Sequence, residues 1–388
     1  MKTPNADSKN NAIIRFIHTS DWQLGMTRAF LSEEAGARFA QDRIDAIAVI
    51  GALASQHDAQ FIVVAGDVFE SNQLSRQTVK RTLDALRHLP VPIFLLPGNH
   101  DPLDNSSIFL TQEFQQAGSN IVVLSDTQPH SLPDCPGVEI IGAPWHTKHP
   151  SLDLCRHLID RLEPTTATRI VVAHGQVDTL SPDKSRPEII HLASVEQAIA
   201  EHKLHYLALG DRHSVTAVGT SERIWYSGAP VSTDFDEVAP NQVLLVSLEA
   251  ERHYTVENLA VGEWQFIAHH QPINGAEDLD QLARWLEQIA NKQRTAVKIS
   301  FEGSIDLTTA AALDNIMREA ELLFASLNIR ERLTNLHVSA SVADEDDVAL
   351  SGYARSAWQE LQQAAASGES AAEDALRLLF RLHQNHTG

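Results

Sequence analysis

The chain is poor in cysteine, with only Cys135 and Cys155 in 388 residues. Their separation fits neither a zinc-ligand spacing nor a disulfide framework, so two reduced thiols are expected. No run of about 18 apolar residues occurs, which excludes a membrane-spanning helix. The segment from Met1 to Asn11 is polar and lacks the apolar centre of a signal peptide. A soluble, cytoplasmic protein with no membrane partner is expected. Positive charge is also scarce. Lys and Arg number 30 against 51 Asp and Glu, for a net charge of −21. That balance argues against a general nucleic-acid coat, which would be basic, but leaves room for an enzyme with a local basic groove or one lent by a partner. Internal repeats and long low-complexity segments are missing. What the chain does have is 43% apolar residues, enough for sizeable cores, and 19 His. At 388 residues it should hold two or three domains.

The hydrophobic pattern alternates between short apolar runs and helical spacing. Ile13–His18 and Phe61–Ala65 read as strands, and so does the run from Val91 to Pro97. Between the first two, Ser32 with Glu33 and Glu34 reads as the start of a helix. Ala40, Ile44, Ile47, Ile50 and Ala54 form its inner face. Val79, Leu83 and Leu86 mark a second helix. Further strands are expected near Ile121–Leu124, Val138–Ile141, Ile170–Ala173, Tyr206–Leu209, Ile224–Tyr226 and Val243–Leu248. Strands alternating with helices, then strands in closer succession, predict an α/β sandwich with a mixed sheet. Ligands in such folds collect beyond the carboxyl ends of strands.

Polar residues stand at those ends. Asp21 follows the first strand and Asp67 the second. Asn99 and His100, in Gly98-Asn99-His100-Asp101, follow the third. His174 ends a later strand, and Asp211 and His213 end the next. Singly, each has a plain structural explanation as a turn residue, a helix cap, a core histidine or half of a surface ion pair. Five such places in one order, three flanked by glycine, are not what independent turns produce. Asp, Asn and His are the donors that hold divalent cations. Two such ions about 3.5–4 Å apart generate a nucleophile and clamp the oxygens of a phosphate ester.

The order of these motifs resembles the signature of calcineurin-like metallophosphoesterases. Within that family the chain looks like the SbcD-type nucleases of double-strand-break repair. The resemblance rests on His18-Thr19-Ser20-Asp21-Trp22-Gln23-Leu24-Gly25, Ala65-Gly66-Asp67-Val68-Phe69 and Leu96-Pro97-Gly98-Asn99-His100-Asp101, with Tyr226-Ser227-Gly228-Ala229 like a turn those nucleases carry. It is specific over residues 13 to 260 and is one of layout beyond. It implies a metallophosphoesterase β-sandwich flanked by helices, an α+β capping domain and a C-terminal helical hairpin. It also implies two divalent ions, Mn²⁺ ahead of Mg²⁺. Asp21, Gln23 and His213 would hold one, Asn99, His174 and Asp211 the other, and Asp67 would bridge them. His100 would face the substrate as the catalytic group, with Asp101 orienting it. The family usually has His where Gln23 and Asp211 stand, so an oxygen-richer centre is expected. Arg212, beside it, would pair with Asp211 or reach a DNA phosphate.

The resulting expectation is a disordered segment over 1–12, a nuclease domain over 13–262, a capping domain over 263–342, and an acidic linker with a helical tail over 343–388. The capping segment reads β-α-β-α-β, with a helix over Thr309–Leu327 and with His269 and His270 as surface residues. In the tail, Tyr353, Trp358 and Leu361 share one apolar face, and Leu376, Leu379 and Phe380 another. The tail either packs back on its own domain or docks an SbcC-type, SMC-like ATPase. DNA is the expected substrate, and the family's habit predicts a homodimer. Two other readings use the same residues: a free-standing phosphodiesterase acting on a small nucleotide, and a scaffold with a relic site.

Overall fold

The structure, a computed structural model, describes residues 13–248, 254–339, 352–367, 369, 371–372, 375–376, 378–379 and 382. The N-terminal segment 1–12, the acidic run Asp344–Asp347 and Phe380 lie outside the described residues. The chain divides into two compact units. One comprises residues up to Arg28 together with Gly36–Trp264. The other comprises Ala29–Ala35 and the chain from Gln265 onward.

The first unit contains, in chain order, β1 (Ile14–Thr19), α1 (Glu33–Gln56, whose first residues belong to the other unit), β2 (Phe61–Val64), α2 (Arg76–Arg87), β3 (Ile93–Leu95), α3 (Gln112–Gln115), β4 (Ile121–Val123), β5 (His130–Leu132), β6 (Cys135–Gly142), α4 (Leu154–Ile159), β7 (Thr168–His174), α5 (Leu192–Ala200), β8 (Tyr206–Gly210), β9 (Thr216–Val218), β10 (Ile224–Tyr226), β11 (Gln242–Leu248) and β12 (Tyr254–Ala260). Two six-stranded mixed sheets form. One has the order β12-β11-β1-β2-β3-β4 and the other β5-β6-β7-β8-β10-β9. β1 to β4 run parallel, as do β6, β7, β8 and β10.

The apolar runs are continuous because both faces of these strands are buried. Phe61 and Val63 of β2 join Ile170 and Val172 of β7 and Tyr206 and Ala208 of β8 in one cluster between the sheets. Ile62 and Val64 turn the other way, onto Ile47, Ile50, Leu83 and Leu86 of α1 and α2. Val171 and Leu207 meet Val195 and Ala198 of α5. Each large side chain so buried contributes about 1.5–3 kcal/mol. The layers are therefore helix, sheet, sheet, helix. The α1 start is as the sequence predicts, with the Ala35 N–H donating to Ser32 Oγ at 3.2 Å.

One polar side chain sits in the middle layer. His18 on β1 donates from Nε2 to the Leu209 carbonyl at 3.2 Å, and its Nδ1 lies 3.1 Å from the Tyr206 hydroxyl. Burial pushes it down to about 3, against the pull of the Leu209 carbonyl, so it is neutral. It ties β1 to β8, the strands whose ends lead to Asp21 and Asp211.

The second unit holds β13 (Gln265–Pro272), α6 (Ala276–Gln288), β14 (Thr295–Ile305), α7 (Leu307–Glu321), β15 (Ser326–Ile329), β16 (Asn335–Val338) and α8 (Tyr353–Ala366). Leu279, Leu282 and Leu286 of α6 and Leu313 of α7 pack on Val297, Ile299 and Phe301 of β14. Here the structure corrects the sequence reading. The helix expected to reach Leu327 stops at Glu321, and β15 takes Ser326–Ile329, pairing in parallel with β14. Phe324 and Leu327 fit a helical spacing, but the Ala325 N–H bonds to Lys292 and Thr295 carbonyls and draws the chain to the sheet edge. Strands β5, β9 and β12 have no counterpart in the sequence reading. They are short or at sheet edges, and β12 has no fully buried residue. His269 stacks on Trp285 with ring centroids 3.9 Å apart, and His270 faces Glu302.

The tail residues separate. Trp358 (6% exposed) and Leu376 (0%) are buried in a cluster with Leu307 and Ala311 of α7, with Leu361 and Leu379 packed against it. Tyr353, by contrast, is 91% exposed, and Leu378 and Leu382 are exposed as well. Of the expected docking face, Trp358 and Leu376 are thus covered by their own unit, while Tyr353 is free of such cover. Among the described residues no helix is long and apolar enough to cross a membrane.

Candidate metal centre

Five parallel strands set the site. β1, β2 and β3 are neighbours in one sheet and lead to Asp21, Asp67 and Asn99. β7 and β8 are neighbours in the other and lead to His174 and Asp211. Asp21, Asp67 and His174 are buried, and a ligand atom from each lies within 4.8 Å of the others. His213 Nε2 is 3.8 Å from Asp21 Oδ1. Asn99 Oδ1 is 2.7 Å from His174 Nε2, and Asp211 Oδ1 is 3.9 Å from it.

Backbone strain concentrates at these positions. Nine non-glycine residues among those described have positive φ, and four are candidate ligands: Asp21 (55°), Gln23 (43°), Asp67 (53°) and Asp211 (98°). Each such conformation costs about 1–3 kcal/mol and persists where the surroundings over-determine it. The loops are held by cross-strand bonds: Asp21 N–H to the Gly66 carbonyl at 3.1 Å, and Gln23 N–H to the Asp67 carbonyl at 2.9 Å. Two glycines give the room. A Cβ on Gly66 would stand 2.1 Å from His174 Nδ1, and one on Gly98 would stand 2.2 Å from Asp67 Oδ1. Gly98 is therefore there for close approach, where the sequence suggests only a sharp turn.

The donor atoms fit cations. His174 Nδ1 donates to the Ala65 carbonyl at 2.9 Å, which turns the Nε2 lone pair inward. There it meets Asn99 Oδ1 at 2.7 Å and Asp67 Oδ2 at 3.4 Å. With the Asp67 carboxylate and the Asn99 amide converging on it, this nitrogen sits where a proton or a metal ion would be well held. The two positions that depart from the family pattern point the same way. Gln23 Oε1 and Asp211 Oδ2 are buried without a hydrogen-bond partner. An unsatisfied buried oxygen costs about 1–3 kcal/mol, which coordination would recover. Asp211 also donates its N–H to Asp21 at 3.1 Å.

The same crowding governs protons. Burial alone would push the His174 imidazole down, but Asp67, with Asp21 and Asp211, overrides it and holds the ring well above its ordinary value. For His213, burial is likewise outweighed by Glu237 and Asp21, and its value rises. Burial raises Asp21 and Asp211. A cation bound here therefore competes with protons for both imidazoles, so divalent-ion binding is expected to release protons and to strengthen as pH rises. Calorimetric titration with Mn²⁺ at neutral pH, in two buffers of different ionisation enthalpy, should show that release. A binding enthalpy independent of the buffer would contradict it.

The remaining residues find their places around this cluster. The His100 N–H donates to Asp67 Oδ1 at 3.0 Å. Its ring Nδ1 donates to the Glu70 carbonyl at 3.0 Å and lies 3.8 Å from Glu70 Oε2, with Nε2 3.9 Å from Asp67 Oδ2. At 36% side-chain exposure the ring is open to a substrate. Asp101 does not orient it. Its carboxylate accepts the Gly98 N–H at 2.8 Å and the Phe69 N–H at 2.9 Å, bracing the turn. Burial and the nearby Asp67 push Asp101 up to about 7. The ring is bonded to the Glu70 carbonyl and not to Asp101, the residue expected to orient it. Arg212 is exposed, and its Nε donates to Thr216 Oγ1 at 2.8 Å, not to Asp211.

Sequence reasoning missed three supports. Trp145 Nε1 donates to the His174 carbonyl at 2.8 Å while the Trp145 N–H reaches the Pro97 carbonyl at 3.2 Å. The Tyr226 hydroxyl donates to the Gly175 carbonyl at 2.8 Å and accepts the Val177 N–H, pinning the loop after His174. Glu237 bonds to His213 Nδ1 at 3.1 Å. Trp145 and Glu237 stand at no recognisable spacing from the residues they serve, and Tyr226 is legible only as part of the Tyr226-Ser227-Gly228-Ala229 turn, without this bond.

Comparison with known proteins agrees with this geometry. Residues 14–288 match the calcineurin-like phosphoesterase family. The SbcD subunit of the nuclease SbcCD from Escherichia coli K12 is 25% identical over 353 residues, covering 81% of this chain and 83% of its own. Its Bacillus subtilis counterpart is 24% identical over 312 residues, covering 71% and 76%. The DNA double-strand break repair protein Mre11 of Archaeoglobus fulgidus is 33% identical over 91 residues, 23% of this chain and 19% of its own. The match to the family spans most of the chain, and the cluster of Asp21, Asp67 and His174 has the composition of a divalent-metal site. The chain belongs to the calcineurin-like phosphoesterases, metal-dependent hydrolases of phosphate esters, and its curated relatives are SbcD-type nuclease subunits.

Proposed function

We propose that the protein is a two-metal DNA nuclease that hydrolyses phosphodiester bonds, working as the nuclease subunit beside an SMC-type ATPase in DNA repair or processing. The observation that carries the reading is the pair of unpaired buried oxygens on Gln23 and Asp211 beside the Asp21, Asp67 and His174 cluster. A relic site would gain nothing by keeping replacement residues that still present acceptors. The likeness to SbcD-type subunits over 81% of the chain supports DNA as the substrate.

In this reading Asp21, Gln23 and His213 hold the first ion, Asn99, His174 and Asp211 the second, and Asp67 is shared. The oxygen-rich donor set favours Mn²⁺, with Mg²⁺ as its nearest substitute. When bound, the ions supply an activated water and screen the phosphate charge. His100 hands a proton to the leaving oxygen from Nε2, while the Glu70 carbonyl fixes the ring through Nδ1. Arg212, on the surface beside the centre, meets a phosphate of the nucleic-acid backbone. The tail offers Tyr353 to the ATPase, and the chain pairs as a homodimer.

Digestion of end-labelled single- and double-stranded DNA with and without Mn²⁺ tests the reading, with bis-p-nitrophenyl phosphate as a control. The expected result is metal-dependent cleavage of both the ester and DNA. Cleavage of the small ester alone would favour the small-nucleotide phosphodiesterase, and no turnover or metal binding at all would favour the scaffold. Removing residues 350–388 should spare ester hydrolysis and abolish capture of the ATPase.

A further inference from the structure

We propose that Glu237 is a positioning residue dedicated to the first metal, fixing which nitrogen of His213 faces Asp21; the inference rests on the metal-centre reading above. His213 lies in the turn after β8, with Nε2 3.8 Å from Asp21 Oδ1. Its other nitrogen, Nδ1, lies 3.1 Å from Glu237 Oε1 and 2.6 Å from Thr233 Oγ1. A carboxylate only accepts, so Nδ1 carries the hydrogen, and Nε2 is the nitrogen left to give its lone pair to a cation beside Asp21. The opposite tautomer would aim an N–H at the cation and could not bind it.

Glu237 is itself held rigidly enough to impose this. The Thr233 N–H donates to both of its oxygens, at 3.1 and 2.9 Å, and Ser232 Oγ donates to Oε2 at 2.7 Å. The Thr233 hydroxyl donates to Oε1. The loop that carries these groups is clamped in turn by two arginines. Arg28 donates to the Thr233 carbonyl from Nε at 2.9 Å and Nη2 at 2.6 Å. Arg43, buried, donates from Nη2 to the Ser232 carbonyl at 3.3 Å and from Nη1 to the Trp22 carbonyl at 2.6 Å, next to Gln23. One bracket therefore orients His213 and anchors the loop of Gln23, two of the ligands assigned to the first ion. Asn99 and His174 are held by other groups: His174 by Ala65 and Trp145, and the Asn99 turn by Asp101.

The network makes the effect selective. Calorimetric titration of the full chain with Mn²⁺ should resolve two binding steps in the wild type. In Glu237→Ala one step should weaken by about 10–100-fold, the usual consequence of losing a carboxylate behind a ligating histidine. The other step should stay put. Glu237→Gln, whose amide oxygen still accepts from Nδ1, should recover much of the loss. In an Asn99→Ala background, where the surviving tight ion belongs to the first site, Glu237→Ala should weaken it by the same factor.

Wild-type binding of both ions in Glu237→Ala, or equal weakening of both steps, overturns the proposal while leaving the metal centre intact. A lowered melting temperature of the metal-free Glu237→Ala protein with both affinities unchanged assigns Glu237 a structural role and overturns it too. Absence of tight Mn²⁺ binding in the wild type removes the metal-centre reading, and this inference with it.

Discussion

Asp67→Ala is expected to leave the purified protein without either metal ion and to lower phosphodiester hydrolysis to the uncatalysed background. Asp67 sits at the centre of the donor set. Its Oδ2 is 3.4 Å from His174 Nε2, and its Oδ1 accepts the His100 N–H at 3.0 Å. Burial would raise its carboxyl, but the His174 imidazole, with help from His100, keeps it below its usual range and ionised. Removing that charge leaves Asp21 and Asp211 to share the imidazoles, and each proposed site loses a ligand at once. Substitution of any ligand serving one ion should cost one ion, whereas Asp67→Ala should cost two. Elemental analysis of the dialysed variants, with circular dichroism to confirm folding, reads the difference. Full occupancy by two ions in Asp67→Ala would sink the bridging role. Asp67→Asn gives the companion measurement, since it keeps the shape and one oxygen donor. It should retain part of the occupancy, because it removes charge and not volume.

The sequence shows whatever leaves a periodic or positional trace. The doubly buried strands appear as unbroken apolar runs, since each is covered on both faces, and the candidate ligands appear at their ends. Strand order then brings Asp21, Asp67, Asn99, His174 and Asp211 to one edge, because β1 to β3 are parallel neighbours and so are β7 and β8. Features without such a trace stay hidden. β15 is four residues whose conformation is decided by hydrogen bonds to a strand some thirty positions upstream. The contact of Glu70 with the His100 ring is hidden for a similar reason. Asp101 adjoins His100 in the chain, but the turn points its carboxylate back at Gly98 and Phe69, and a residue from the loop after β2 meets the ring instead.

The tail shows the limit of amphipathic pattern. Trp358 and Leu376 are recognisable as apolar faces that need cover, yet nothing in their spacing says whose cover it is. The structure places Leu307 and Ala311 beneath them, on a helix of the same unit. The pair Gln23 and Asp211 shows the converse. As letters they are departures from a family pattern, compatible with decay. In the fold both occupy left-handed backbone that the surrounding loops impose, and both keep a buried oxygen without a partner. Left-handed backbone that presents an unpaired oxygen is what the metal reading proposed above needs at these two positions.

His100→Ala should do the opposite of Asp67→Ala, keeping both metals and losing hydrolysis. The division follows from which part of the residue does what. Its backbone N–H supports Asp67, and alanine retains that bond. Its ring, anchored at Nδ1 by the Glu70 carbonyl and 36% exposed, is the part open to the substrate. Loss of a general acid lowers rates by about 10²–10⁴-fold. The substrate decides whether that is the reason. A DNA strand leaves as an alkoxide, which needs a proton, whereas p-nitrophenolate leaves readily without one. His100→Ala should therefore cut DNA cleavage far more than hydrolysis of bis-p-nitrophenyl phosphate. Equal losses on both would assign the ring to binding the phosphate and not to protonating the leaving oxygen. Glu70→Ala should reproduce only a fraction of the effect, because the anchoring atom is its main-chain carbonyl, which the substitution leaves in place.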